Sequence, residues 1–359
     1  MSRPVELFSK SSESLKLLNA ASSQAENYAV DRDCSWKKEL ANATTSAAEL
    51  LEQLNLTHHI KTADIRPDFK CLVTASYINK MQPGNIDDPL LQQVLPLARE
   101  NDNHIQHGGM LDPVGDMGAL ASTGLLHKYH GRALLISTGA CAIHCRYCFR
   151  RAYPYQSSSC TGKALDDTLG YLNDHSEIEE IILSGGDPLT LDNEKLANLI
   201  SRLESVSHIQ TLRLHTRLPV VLPSRINTTL IRLLQSSRFH IVLVIHSNHA
   251  SELQKDEQHK LQLLHEAGIS LLNQSVLLKG INDNVAALVA LSKRLFQCKT
   301  LPYYLHLLDP VKGAMHFDVS KKTALHLKHQ IEQQLPGYLV PRLVQEIAGN
   351  KAKSAIFRI

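Results

Sequence analysis

Residues 141–151 read Cys-Ala-Ile-His-Cys-Arg-Tyr-Cys-Phe-Arg-Arg and contain three of the seven cysteines of the chain. These three cysteines, Cys141, Cys145 and Cys148, lie so close in sequence that their thiolates can reach three corners of one iron–sulfur cubane. The fourth iron would have no protein ligand and could be chelated by the amino and carboxylate groups of a substrate. The run therefore predicts a [4Fe-4S] cluster with one open iron.

A zinc knuckle is the alternative interpretation of the same cysteines. A structural zinc ion has a closed coordination shell of four protein ligands. The nearby candidates for a fourth ligand are His144 and Cys160. Cys34, Cys71, Cys298 and also Cys160 are otherwise expected to be buried as small hydrophobic side chains. A zinc-binding interaction protein therefore remains the non-enzymatic alternative.

Short apolar runs alternate with helix-like segments from Arg132 onward, which is typical of parallel strands joined by crossover helices. Amphipathic stretches such as Asn193–Leu203 and Val285–Leu295 separate the runs. Six such units predict an α/β fold, a partial TIM-type (β/α)6 barrel. The strands are predicted at Ala133–Ser137, Glu180–Ser184, Thr211–His215, His240–His246, Ser270–Leu277 and Tyr303–Leu308.

The residues that follow the predicted strands are unusually polar. In barrels of this kind the chemistry lies at the carboxyl ends of the strands. In chain order these segments read CAIHCRYCFRR, SGGDPL, HTRLP, HSNH, LKGIND and LDPVKG. We therefore expect the functional residues in these six segments.

The chain before the barrel is helical and irregular, with amphipathic pieces such as SAAELLEQLNL at 46–56. Residues 1–125 are therefore predicted to form an N-terminal helical cap. The core is predicted to span 126–318, with a following strand and helix to 335. Residues 336–359 form a C-terminal segment.

Composition excludes several classes of protein. The 359 residues are 43% hydrophobic, which is enough for one large core. The net charge is only +3, and no basic run is interleaved with aromatic residues, so direct nucleic-acid binding is not expected. The N-terminus lacks a signal-peptide pattern, and no segment approaches the ~20 apolar residues of a membrane span. We expect a soluble, cytoplasmic protein without a membrane partner.

The CxxxCxxC run, with Tyr147 before its last cysteine, resembles the signature of the radical S-adenosylmethionine superfamily. The segment SGGDPL at 184–189 resembles the glycine-rich segment in which these enzymes hold the methionine amino group of the cofactor. Glycines permit close backbone approach, and Asp187 offers an anion for an ammonium group. The resemblance implies that S-adenosylmethionine is bound by Tyr147, Ser184, Gly185, Gly186 and Asp187.

Further segments resemble the lysine 2,3-aminomutase family, whose isomerase reaction moves the α-amino group of lysine to the β-carbon. They are LLHKYHGRALL (125–135), CRYCFRR (145–151), SGGDPL (184–189), TRLPVVLPSRI (216–226), NQSVLLKGIND (273–283) and PYYLHLLD (302–309). The resemblance runs from about Gln82 to Lys353.

One branch of this family is the most similar. NIDDPLLQQVLP (85–96), GLLHKYHGRALL (124–135), LPYYLHLLDPVKGAMHF (301–317) and GYLVPRLVQEIAG (337–349) resemble the branch that makes (R)-β-lysine for modification of elongation factor P. The chain also ends soon after Lys353, without the cysteine-bearing extension of the free-lysine mutases. A free-lysine 2,3-aminomutase that serves another pathway is the alternative enzyme.

The family resemblance implies a second cofactor, pyridoxal 5′-phosphate, attached to a lysine near the C-terminus. In the segment Glu346–Lys353, gapless spacing makes Lys353 the catalytic anchor. Lys351 is the competitor, because the turn before it has only one glycine. The family pattern assigns contacts with the phosphate to Lys128, Tyr129, Arg132 and Gln274.

The same resemblance implies L-lysine as the substrate. Arg150 would clamp the carboxylate, a task that suits the guanidinium fork. Asp309 and Glu346 match the acids that hold the distal ammonium, and an anionic substrate would meet like charges there. The free-lysine mutases have aspartate where this chain has Glu346. The alternative role for either acid is a surface carboxylate or a helix cap.

The resemblance also implies partners. An electron donor of the flavodoxin or ferredoxin type would reduce the cluster. A separate ligase would attach the product to elongation factor P, so contact with the translation factor would be indirect. The oligomeric state is open, with a homo-oligomer among the alternatives.

Overall fold

A computed structural model describes residues 35–65, 67–102, 105–106, 108–155 and 162–357. These residues contain one ten-stranded sheet whose strand order follows the chain. The strands are β1 (Leu120–Ser122), β2 (Leu125–Tyr129), β3 (Arg132–Thr138), β4 (Glu180–Gly185), β5 (Thr211–Thr216), β6 (His240–His246), β7 (Ser270–Val276), β8 (Leu301–His306), β9 (Arg342–Gln345) and β10 (Ser354–Ala355).

Ten α-helices accompany the sheet in the described ranges. They are α1 (Ser35–Ala41), α2 (Ala47–Gln53), α3 (Ala75–Ile78), α4 (Lys163–Asp174), α5 (Asn193–Glu204), α6 (Leu218–Val221), α7 (Thr228–Ser236), α8 (Lys255–Glu266), α9 (Val285–Gln297) and α10 (Lys321–Glu332). Short 3₁₀ turns connect several of them.

Strands β3 to β9 are parallel, and helices cross between each pair of neighbours. The six predicted strands are β3 to β8, and each predicted boundary lies within two residues of the observed one. Each of the six strands is followed by a crossover helix, from α4 after β3 to α10 after β8. The predicted (β/α)6 architecture is therefore confirmed.

The crossover helices form because their apolar residues recur at helical spacing. In α5, Leu196, Leu199, Ile200 and Leu203 make one buried stripe, and Asp192 caps the first turn by accepting from the backbone N–H of Lys195. The stripe packs against the outer face of the sheet, within the large hydrophobic core. The helices thereby hold the strand ends in a fixed arrangement.

The two ends of the sheet approach each other. Lys128 on β2 lies 3.8 Å from the carboxylate of Glu346, which follows β9. The hydroxyl of Tyr129 donates to the same carboxylate. Strands β2 and β9 are seven positions apart in the sheet, so the sheet must be curved into an incomplete barrel.

The two-residue period of the strands places polar side chains inside this barrel. On β5, Leu212 and Leu214 belong to the hydrophobic core, whereas Arg213 and His215 line the interior cavity. On β8, Tyr304 and His306 also line the cavity. The cavity wall is therefore built largely from rigid strand positions.

The sheet crosses both predicted segment boundaries. Strand β1 begins at Leu120, within the predicted cap, and β1, β2 and β3 pair antiparallel. Strands β9 and β10 lie in the predicted C-terminal segment and form a hairpin that includes the turn at Gly349, where φ is +84°. Strands β1, β2, β9 and β10 have only two to five residues, so their sequences carry too little periodicity to be predicted. Their pairing with neighbouring strands defines them.

The described part of the cap packs onto one side of the barrel. Trp36, Leu50 and Leu51 are buried in the same core as the crossover helices. Lys80 forms an ion pair of 2.8 Å with Glu257 on α8. No helix among the described residues is long and apolar enough to cross a bilayer.

Candidate active site

One cavity inside the barrel brings together every residue that the sequence singles out for cofactor or substrate. Its wall includes Lys128, Tyr129, Arg132, Cys141, Cys145, Tyr147, Cys148, Arg150, Ser184, Gly185, Gly186, Asp187, Gln274, Asp309, Glu346 and Lys353. These residues come from strands β2, β3, β4 and β7 and from the segments that follow β3, β4, β8 and β9. Curvature of the sheet therefore assembles a site from distant parts of the chain.

The three cysteines lie on the loop after β3, each as a free thiol. Burial and the neighbouring thiolates raise the pKa of Cys141 well above its ordinary value. Burial and Cys145 raise the pKa of Cys148 to about 11. Such thiols become thiolates when a bound metal supplies the compensating positive charge. The donor set therefore fits a cationic cluster.

His144, one candidate for a fourth zinc ligand, has partners in the cap. His144 shares a hydrogen bond of 2.9 Å between its Nδ1 and the carbonyl of Lys70, and its ring stacks on Phe69. Cys71 and Cys298 are buried, as expected. Cys34 and Cys160 lie outside the described residues.

The cap holds the cysteine loop in place. Arg146 makes a two-pronged ion pair with Glu100, with Nε–Oε1 and Nη2–Oε2 distances of 2.8 and 2.6 Å. Arg151 donates to the same carboxylate at 3.0 Å. The Arg146 guanidinium also lies over the ring of Phe69. Bidentate pairing of this kind fixes both position and orientation of a loop.

The two glycines of the SGGD segment allow the cysteine loop to approach β4. Gly185 has φ of +115°, a conformation that L side chains rarely adopt. A Cβ on Gly186 would lie 2.2 Å from the carbonyl oxygen of Ala140. The close approach that requires glycine is thus to the backbone just before Cys141.

Asp187 is buried and joins the ends of β4 and β5. Its carboxylate accepts from the hydroxyl of Thr216 at 2.7 Å and from the backbone N–H groups of Arg217 and Leu189 at 2.6 and 3.1 Å. Burial raises the pKa of Asp187 to about 6, against the opposing effect of these hydrogen bonds. Asp187 therefore has a structural anchoring role besides lining the cavity.

A chain of alternating charges crosses the cavity wall. Arg150 Nε donates to Asp116 at 2.7 Å, and Lys128 pairs with the other oxygen of Asp116 at 2.6 Å. Lys353 donates to Glu346 at 2.9 Å. Burial raises the pKa of Glu346, but Lys353, Tyr129 and Lys128 outweigh it and hold that pKa below its ordinary value. Four of these five charged groups were expected in the site, and Asp116 was not.

Asp309 differs from the other acids. It is half-buried in the wall of the same cavity, and its buried Oδ1 atom has no hydrogen-bond partner among the described residues. Burial raises the pKa of Asp309 to about 7, and the nearby Glu346 adds to this effect while Lys353 opposes it. A buried carboxylate oxygen without a partner is costly unless a ligand satisfies it. The geometry therefore provides a place for a cationic group.

Lys353 and Lys351 have different surroundings. Lys353 lines the cavity, with its Nζ 5.8 Å from the centre of the Tyr304 ring, whereas Lys351 is exposed. Arg132 lies over the ring of Tyr129 at 4.9 Å. An amine, cationic side chains and an aromatic wall thus share one part of the cavity, as an anionic aldehyde cofactor requires.

Several cavity residues had no predicted role. His215, His246 and His306 lie inside the barrel, where burial lowers the pKa of each imidazole, that of His246 to about 3. His246 shares a 2.9 Å hydrogen bond with the hydroxyl of Tyr147. His215, His246 and Arg217 fall in or next to the polar strand ends that the sequence marks. Asp116 lies in the irregular cap, where no pattern indicates it.

Comparison with known proteins identifies the family of the chain. The model of a 4Fe-4S single cluster domain matches residues 130–216. The chain is 44% identical over 322 residues to the L-lysine 2,3-aminomutase of Haemophilus influenzae and 41% identical over 324 residues to that of Escherichia coli. Each alignment covers 89% of this chain and 94% of the relative.

A radical SAM methyltransferase from Sphaerobacter thermophilus aligns in structure over 62% of this chain and 68% of its own, with a TM-score of 0.46 and 15% identity. The lysine aminomutases, in contrast, match at high identity along nearly their whole length. The chain therefore belongs to the lysine 2,3-aminomutase family of radical S-adenosylmethionine enzymes, which are isomerases that depend on a [4Fe-4S] cluster.

Proposed function

We propose that the protein converts L-lysine to (R)-β-lysine with pyridoxal phosphate as its second cofactor, and that the product supplies the modification of elongation factor P. One observation carries the lysine assignment. The cavity that contains the three cysteines also contains Arg150 at one part of its wall and the unpartnered carboxylate oxygen of Asp309 at another. An amino acid with a second positive charge satisfies both groups.

When bound, the cluster and S-adenosylmethionine supply a carbon radical for hydrogen abstraction, and pyridoxal supplies a π-system for nitrogen migration. The residues of the chain bind, orient and exclude water. Cys141, Cys145 and Cys148 would hold the cluster, with Tyr147 and the 184–187 segment beside S-adenosylmethionine. Enclosure by strands on most sides keeps bulk water from a reactive radical.

Pyridoxal would be anchored by Lys353. Its phosphate would be neutralised by Lys128 and Arg132, with Tyr129 and Gln274 as hydrogen-bond donors. A Lys353 nitrogen engaged with the cofactor no longer pairs with Glu346, so one carboxylate oxygen becomes available to the substrate ammonium. This exchange reconciles the Lys353–Glu346 pair with a substrate-binding role for Glu346.

The substrate carboxylate would bind Arg150. Asp116 fixes the guanidinium through Nε, and Ser184 accepts from Nη1 at 3.1 Å. A guanidinium held in this way is oriented before the substrate arrives, which lowers the entropy cost of binding. An electron donor of the flavodoxin or ferredoxin type would reduce the cluster from outside the barrel.

The assignment to the elongation factor P branch is supported by the four segments that resemble it, from 85–96 to 337–349. The product would pass to a separate ligase, because the interior cavity suits a free amino acid rather than a side chain on a folded protein. A free-lysine mutase for another pathway is the second candidate, and its product can differ in configuration at the β-carbon.

Chiral chromatography of the product tests this proposal. The anaerobically reconstituted protein would be incubated with L-lysine, S-adenosylmethionine, pyridoxal phosphate and dithionite. We expect (R)-β-lysine in large excess over the (S) isomer. Predominant (S)-β-lysine would overturn the elongation factor P branch while leaving the aminomutase activity in place.

Asp309 is expected to make lysine binding depend on pH. Because its pKa is about 7, the carboxylate becomes protonated as the pH falls through 7 and loses its attraction for the substrate ammonium. The KM for lysine should therefore rise toward acid pH. Asp309→Asn should raise KM above pH 7 and leave it nearly unchanged well below pH 7, where Asp309 of the wild type is itself uncharged, so the profile should flatten. The expected loss of lysine-binding free energy is about 2–5 kcal/mol, as when one partner of a buried charged pair is removed.

Asp318→Asn is the matched control, since Asp318 is exposed and does not line the cavity. It should keep both the KM and its pH profile. Steady-state kinetics with cluster content held equal among the three proteins give the comparison. An Asp309→Asn profile parallel to that of the wild type would show that another group titrates.

A further inference from the structure

Arg217 lies directly after β5 and is buried beside the cysteine loop. Its Nη1 donates a hydrogen bond of 2.7 Å to the Sγ atom of Cys145. The other arginines of this region are occupied by acids, Arg146 and Arg151 by Glu100 and Arg150 by Asp116. Arg217 also pairs with an acid, Glu252, but its Nη1 faces a cysteine sulfur.

The guanidinium of Arg217 is fixed from several sides. Its Nη2 donates to the hydroxyl of Tyr77 at 3.1 Å, to Gln93 Oε1 at 2.9 Å and to Glu252 Oε1 at 3.1 Å. Its backbone N–H is held by Asp187. Tyr77 and Gln93 belong to the cap, and Glu252 follows β6. An arginine locked by both cap and barrel keeps its orientation toward Cys145.

Glu252 supplies the opposing charge in this network. It is fully buried and accepts from the side-chain amide of Gln93 at 2.6 Å, from the hydroxyl of Tyr77 at 3.2 Å and from Arg217. The pair therefore presents a cation next to the sulfur and an anion behind the cation. The electrostatic potential at the Cys145 sulfur therefore depends on both Arg217 and Glu252.

Hydrogen bonds and positive charge at a cysteine ligand stabilise the reduced, more negative state of an iron–sulfur cluster and so raise its reduction potential. The electron comes from the external donor, and no bond in the protein forms or breaks in this step. We propose that Arg217 is a positioning residue that raises the reduction potential of the cluster through Cys145, and that Glu252 limits this effect. The inference rests on the proposed cluster ligands.

Redox titration monitored by electron paramagnetic resonance tests the proposal on the full-length protein with a reconstituted cluster and no substrate. The Arg217→Gln variant is expected to keep its iron. Its equilibrium should favour the oxidised cluster at least tenfold more than in the wild type, which corresponds to a reduction potential lower by about 59 mV or more. Arg217→Lys, which keeps a charge without the fork, should lie between them. Glu252→Gln should shift the potential upward.

Tyr77→Phe is the control for general disruption, because it removes one contact of Arg217 but no charge and no contact with Cys145. Its potential should equal that of the wild type. A wild-type potential in an iron-loaded Arg217→Gln variant would overturn the proposal. If Arg217→Gln loses its iron, Glu252→Gln decides: an upward shift supports the proposal, and an unchanged or lower potential overturns it. Absence of iron from the wild type would instead refute the proposed cluster.

Discussion

A Cys145→Ala variant is expected to lose the iron of its cluster and, with it, all reductive cleavage of S-adenosylmethionine. The two remaining thiolates cannot retain a cubane that already lacks a fourth protein ligand. Iron and sulfide analysis after anaerobic reconstitution gives the first measurement, and release of 5′-deoxyadenosine gives the second. The expected change is from nearly full cluster occupancy to background.

Cys298→Ala is the matched control for this substitution. Cys298 is a fully buried free cysteine at the end of α9, far in sequence from the loop and outside the cavity wall. It should keep both iron and cleavage activity. Cys160→Ala, at a position outside the described residues, should keep the cluster as well. Substantial iron in Cys145→Ala, or its loss in Cys160→Ala, would contradict the three-cysteine assignment.

A Lys353→Ala variant is expected to lose covalently bound pyridoxal completely, whereas Lys351→Ala should retain it. The two lysines lie in the same turn, but only Lys353 lines the cavity, and its Nζ is 2.9 Å from Glu346. An anchor lysine needs a fixed approach to the aldehyde, which an exposed side chain lacks. Aminomutase activity should fall to background in Lys353→Ala alone.

Borohydride reduction followed by peptide mass mapping locates the anchor directly, because reduction makes the labile linkage stable. We expect the phosphopyridoxyl adduct on Lys353. An adduct on Lys351 would move the anchor by two residues and overturn the alignment of the C-terminal segment, including Glu346. An adduct on neither lysine would remove the pyridoxal proposal.

The barrel could be predicted from the sequence because its strands and helices carry strong periodic signals. Strands β3 to β8 are apolar runs, and helices such as α5 and α9 have buried stripes at helical spacing. The site could be predicted in outline because residues after parallel strands share one end of the sheet. The family resemblance then supplied the residues contributed by β2 and by the C-terminal segment.

The remaining features depend on contacts through space. Asp116 comes from an irregular part of the cap, and its role appears only where Arg150 and Lys128 meet on it. Arg217 was visible as a polar residue after β5, but its contact with Cys145 requires the folded loop. Strand β9 is short, and its pairing with β8 defines it. None of these features leaves a local pattern in the sequence.

Nitrogen migration in isotopically labelled lysine is the direct test of lysine aminomutase activity in this protein. The reconstituted protein would be given L-lysine with ¹⁵N at the α-amino group, and the product would be examined by nuclear magnetic resonance and mass spectrometry. We expect β-lysine in which the labelled nitrogen is bonded to the β-carbon. Label that stays on the α-carbon of unchanged lysine, or leaves as ammonia, would contradict the assignment of this protein as a lysine aminomutase.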